Sequence, residues 1–132
     1  MRVVTTITSN RLPALSRQMG AEVDWIVRAA ALRIEASSKA SMALPHSGQM
    51  YGAHRASAPG EAPAIDTGAL VNSIQTEMDG QAQAVVYSNM EHAVYMEYGT
   101  VYIAPRPFFV PAAEAERAQF VHDMAQLEDS LR

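Results

Sequence analysis

Three groups of residues have types and spacing that could do chemistry. The first is Ile65-Asp66-Thr67-Gly68-Ala69. Its aspartate is the sharpest candidate in the chain for acid–base chemistry. Asp66 or Thr67 could instead accept a backbone N–H at the start of a helix, and that capping use takes precedence. The second group is the four histidines, His46, His54, His92 and His122. No two are four residues apart, and Glu91-His92 lacks the H-E-x-x-H register, so surface roles are expected and no metal site. The third is Arg106, boxed between Pro105 and Pro107. Its guanidinium could grip a phosphate or carboxylate in two-pronged fashion. A salt bridge within or between subunits is the expected use. There is no cysteine, which removes thiol nucleophiles, thiolate zinc sites and disulfides. Neither a G-x-x-x-x-G-K-[ST] phosphate loop nor a G-x-S-x-G serine is present. No catalytic residue, cofactor or metal is therefore expected.

The element that must position Arg106 runs from Ala93 to Pro111. It holds three of the seven prolines, three of the five tyrosines and two of the three phenylalanines. Gly99, in the turn Tyr98-Gly99-Thr100, can take a positive φ without a Cβ penalty. Each proline fixes its own φ and biases the preceding residue toward extended geometry. Pro111 sits where a helix would begin, because its missing N–H costs nothing in a first turn. The segment thus leaves a short helix, turns, crosses as a stiff arm and launches the last helix. The ring of Phe108 is expected to point inward, and Arg106 to occupy a polar boundary position. An arginine on a rigid arm beside two aromatics reads as an assembly device rather than a reaction centre.

At 132 residues the chain is expected to be one domain. Only 18% of it is charged while 48% is hydrophobic, which suits a protein that hides surface in an oligomer. A net charge of −4 argues against a general nucleic-acid binder. No apolar run is long enough for a membrane span. The N-terminus lacks a signal-peptide pattern, so an intracellular site of synthesis is expected.

Arg2 to Thr8 is rich in β-branched residues and reads as a strand. Ser9 or Asn10 can cap a first helix over about 11–41, whose stripe is Leu15, Met19, Val23, Ile26, Ala30 and Ile34. Trp25 lies beside that stripe, as a core or rim residue or as an intersubunit anchor. Residues 43–64 are too rich in turn-formers for a regular element and predict a long projecting loop that orders against a neighbour. Its tip carries Tyr51, His54 and Arg55. Gln75 to Met78 and Gln83 to Ser88 read as a hairpin around Asp79-Gly80, with a slightly longer loop as the alternative. A short helix over 89–98 offers Ala93, Val94 and Met96 for burial. The last helix, about 109–130, shows Ala113, Phe120, Met124, Leu127 and Leu131 on one stripe. The fold class is α+β: a small antiparallel β-sheet of three to five strands packed against a long N-terminal helix and a C-terminal helix.

Two resemblances follow from quoted residues. Tyr98-Gly99-Thr100, a spacer, then Pro105-Arg106-Pro107-Phe108 resembles the neck or tail-completion protein family of tailed bacteriophages. A second stretch agrees, Pro59-Gly60-Glu61-Ala62-Pro63-Ala64-Ile65-Asp66-Thr67-Gly68-Ala69-Leu70 followed by Ser73-Ile74, and the likeness covers roughly 10–125. It implies a structural virion protein in an oligomeric ring, sixfold by the match to a tail tube. Such a ring joins the tail to the head connector and lets DNA pass without sequence-specific binding. The implied partners are its own copies, head-closure or connector proteins, and a tail-tube or tail-terminator protein, with no membrane. A tail-terminator ring at the head-proximal end of the tube is the alternative. The assembly residues are expected among Tyr51, His54, Arg55, Asp66, Thr67, Tyr98, Gly99, Arg106 and Phe108. The other resemblance is of Ile65 to Ala69 to the catalytic loop of retroviral-type aspartic proteases. There the context departs: that loop follows a strand, whereas here Pro59 to Pro63 precede it, and no glycine follows Gly99 to brace it.

Overall fold

The computed structural model describes residues 3–7, 12–66 and 68–130. The expected strand ends Arg2 and Thr8, the cap at Ser9 or Asn10, the side chains of Leu15 and Met19, Thr67 and Leu131 lie outside the described residues. The order is β1 (Val3–Ile7), α1 (Leu12–Ala43), β2 (Met50–Tyr51), β3 (His54–Arg55), α2 (Ala69–Ser73), β4 (Ile74–Met78), β5 (Ala84–Ser88), α3 (Ala93–Tyr98) and α4 (Phe109–Ser130). The fold is α+β. A three-stranded antiparallel sheet, β1-β5-β4, carries the two long helices on one face, and β2-β3 form a separate small ribbon.

The central strand explains the layering. All five β5 residues are buried. Ala84 and Val86 point into the core with Val23, Val27 and Ile34 of α1 and with Phe108 and Phe109. Val85 and Tyr87 alternate to the other face, as a period of two requires. There the Tyr87 hydroxyl donates to Glu77 Oε1 at 2.6 Å and lies 3.0 Å from Gln75 Oε1. On α1 the expected stripe positions Val23, Ile26, Ala30 and Ile34 are all buried. Trp25, one step off that stripe, is 69% exposed, so its core or rim reading is corrected. Burying each large aliphatic or phenyl side chain stabilises the fold by about 1.5–3 kcal/mol.

Polar bonds fix how the layers meet. Arg33 of α1 donates from Nε to Glu116 at 2.8 Å and from Nη2 to Asp123 at 3.1 Å, both on α4. Asp24 of α1 accepts the Ala82 N–H at 2.6 Å, and Ala82 stands at φ 56°. This contact overturns the two-residue turn at Asp79-Gly80. The helix holds a longer loop between Met78 and Ala84, whose Asp79 N–H donates to Gln83 O at 2.8 Å. One buried hydroxyl, Ser38 Oγ on α1, has no hydrogen-bond partner among the described residues.

Residues 43–64 depart from the expected unstructured loop. Gly48 N–H donates to Ala56 O and Ala56 N–H to Gln49 O, each at 2.9 Å, closing the base of the β2-β3 ribbon. A Cβ at Gly48 would come within 2.5 Å of Ala56 O, so only glycine allows this approach. Glu61 ties the base down. It accepts the Ser47 hydroxyl, the Ser47 N–H at 3.2 Å, the Ala58 N–H at 3.0 Å, and lies 3.3 Å from His46 Nδ1. Those donors, Ser47 first, hold its carboxyl well below the usual range, at about 2.

Candidate functional site

The junction between α3 and α4 is built around Glu97. It is only 3% exposed. Its Oε2 accepts the N–H groups of Phe108 at 2.7 Å and Phe109 at 3.1 Å, and its Oε1 that of Val110 at 2.6 Å. The next residue is Pro111, which has no N–H to offer. Every donor of the first turn of α4 is thus either bound to one carboxylate or absent. A negative charge at this end also faces the positive pole of the helix dipole. Sequence reasoning passed over Glu97. The signal was a lone acid in an otherwise apolar short helix, eleven residues before an aromatic pair and a first-turn proline.

That anchor fixes a protruding tip. Gly99 closes α3 at φ 77°, its N–H donating to Tyr95 O at 2.8 Å. A Cβ there would fall 2.8 Å from Ile103 O and 2.9 Å from Pro105, so glycine is required twice over. Thr100 N–H donates to Ile103 O at 2.8 Å, while Thr100 Oγ1 accepts the N–H groups of Tyr102 and Ile103, each at 3.1 Å. The arm beyond is laced on both sides. Arg106 N–H donates to Met96 O at 2.6 Å, and Pro105 O accepts the Gly60 N–H at 3.0 Å. On this braced loop Val101 is 96% and Tyr102 95% exposed.

Beside the tip lies an open, mainly apolar groove of about 510 Å³. The C-terminal end of α1, the ribbon, α2 and α3 form its walls, with Met42, Met90 and Met96 as flexible apolar lining. Asp66, His54 and Arg106 supply polar groups to it. The groove therefore gathers three of the expected assembly residues.

The others are placed as follows. Tyr51 and Arg55 are exposed on the ribbon, Arg55 donating to Gly48 O at 3.0 Å. Tyr98 is exposed at the base of the tip, next to Gly99. The ring of Phe108 is buried, its centroid 4.5 Å from that of Phe109. Arg106 corrects one expectation, the salt bridge within the subunit. Its guanidinium reaches backbone carbonyls, Ala104 O at 3.1 Å and Ser57 O at 3.4 Å, and no carboxylate pairs with it among the described residues. The extended arm points it along the surface of the 57–60 segment. Asp66 corrects another. It is exposed, and the cap position of α2 is Gly68 at φ 83°, without a side-chain capping bond. No strand leads into Ile65 to Ala69, the arrangement a dimeric protease loop requires.

What the arrangement offers chemically is adhesion: a rigid apolar projection, a pliable apolar groove and few charges between them. No protein-family model, no curated protein and no solved structure matches the chain.

Proposed function

We propose that this chain is a structural subunit of the neck of a tailed phage, assembled as a ring that joins the tail to the head connector and leaves a passage for DNA. The observation that carries the assembly part is the tip at Val101 and Tyr102, two large apolar side chains almost fully in water on a loop held by hydrogen bonds and prolines. Ordering such a loop in advance lowers the entropy cost of docking. The phage part rests on the resemblance of Tyr98-Gly99-Thr100 and Pro105-Arg106-Pro107-Phe108. An acidic chain suits a passage that must not grip the DNA moving through it.

Deleting the gene from a phage genome that carries it tests the reading by electron microscopy of the lysate. Filled heads and finished tails that fail to join are the expected result. Tails of uncontrolled length would instead establish the tail-terminator alternative. Joined, infectious particles would overturn both.

A further inference from the structure

We propose that the Val101–Tyr102 tip of one copy seats in the apolar groove of a second copy, so that copies of this chain hold one another by a knob and a hole carried on each. This deepens the ring reading above and rests on it for the ring, while the contact itself is argued from surface chemistry.

Both halves are on the same chain, and both present apolar surface to solvent. The tip offers Val101 and Tyr102, both almost fully exposed. The groove offers three methionines, Leu70 and Ile65, and an open volume of about 510 Å³. Methionine lining adapts to an inserted ring better than branched side chains do. A buried tyrosine needs a partner for its hydroxyl, and Asp66 and His54 stand at the groove to accept that proton. The tip carries no charge of its own, and Arg106 at the groove keeps its bonds to the carbonyls of Ser57 and Ala104 as the tip enters.

The area sets the character of the contact. A tyrosine contributes about 150–250 Å² on burial, so tip and groove together cover well under the roughly 1,200–2,000 Å² of a stable two-body interface. One such contact is weak. A copy that both gives its tip and receives another makes two, and closing the circle adds the last contact without a further loss of free rotation. The inference thus describes a subunit that pairs feebly and closes cooperatively.

The chain has no cysteine, so introduced ones report without background. Tyr102→Cys and Ile65→Cys, both at exposed positions, are purified separately, mixed and oxidised. The expected product is a disulfide-linked pair in the mixture and none from Ile65→Cys alone. Absence of that pair while native mass spectrometry of the unaltered protein shows oligomers would overturn the tip-in-groove contact and leave the ring reading standing. The pair together with a native mass of two rather than a larger closed number would support the contact and overturn the ring. A protein that stays monomeric from micromolar to millimolar concentration, with no cross-link, would overturn the inference. Tyr102→Ser, which keeps the backbone N–H bond to Thr100 Oγ1, should weaken self-association at least tenfold with an unchanged melting temperature.

Discussion

Replacing Glu97 by alanine should be among the most damaging single changes to this chain. The carboxylate is 3% exposed and holds the N–H groups of Phe108, Phe109 and Val110 at 2.6–3.1 Å. A hydrogen bond to a charged group contributes about 1.5–3 kcal/mol net. Three bonds to one carboxylate are not independent, so the sum is smaller than three times that. Alanine also leaves buried donors with no acceptor, at about 1–3 kcal/mol for each that water cannot reach. A loss of about 3–5 kcal/mol follows, on a total of about 5–15 kcal/mol for such a domain. For a chain of this size that is a fall of roughly 10–20 °C in melting temperature. Glu97→Gln keeps one acceptor oxygen but turns an amide N–H₂ toward N–H donors, and should lose about half as much. Differential scanning calorimetry with urea titration measures both. If Glu97→Ala lies within about 1 kcal/mol of the parent protein, the carboxylate does not anchor α4 and the account of the junction fails.

Three further expectations are independent of it. Phe108→Ala should cost about 3–5 kcal/mol, whereas Arg106→Ala, which loses only contacts to carbonyls, should cost under about 1 kcal/mol; equal melts for the two would show that Arg106 locks the core. Ser38→Ala removes a buried hydroxyl with no partner among the described residues and should leave stability unchanged or raise it by about 1 kcal/mol, and a clear loss by thermal melt would mean the hydroxyl is satisfied in solution. Glu61 has a folded-state pKa of about 2 against an ordinary 4.5, so its contribution is present above pH 4.5 and lost as the pH falls toward 2. Urea midpoints taken across that window should flatten in Glu61→Gln, and an unchanged slope would show that the Ser47 and Ala58 contacts do not form.

The helices and the sheet were legible because their signals are repeated. Val23, Ile26, Ala30 and Ile34 recur at helical spacing, and the β-branched run of β1 and the apolar run of β5 are local facts. The missed features are single residues whose partners lie far away in the chain. Glu97 acts on a helix start eleven residues on, and the N-cap of α2 is Gly68 rather than Asp66. The loop after β4 is longer than its Asp79-Gly80 signal implied because Asp24, 58 residues earlier, binds Ala82. Turn-formers marked 43–64 as irregular, yet the Gly48 approach and the Glu61 bonds that order it depend on distant backbone atoms. At the candidate site, the aromatic and proline content of 93–111 marked the stiff arm, while the choice of exposed side chains there depended on which way the loop turned.

The pairing of β1 with β5 bears on how the protein comes to fold. Val3 lies against Ser88 and Ile7 against Ala84, and the Arg33 clamp spans 83 and 90 residues. The β4-β5 hairpin can close on its own within microseconds, because its strands are neighbours in sequence. The β1 strand cannot join until β5 exists, and the apolar stripe of α1 is covered only in part, by β4 and β5, until α4 has emerged from the ribosome. Distant contacts of this kind slow the search for the native state. A growing chain therefore carries an unpaired strand edge and an uncovered helix face for most of its synthesis, and nascent copies crowded on one message are open to one another in that interval.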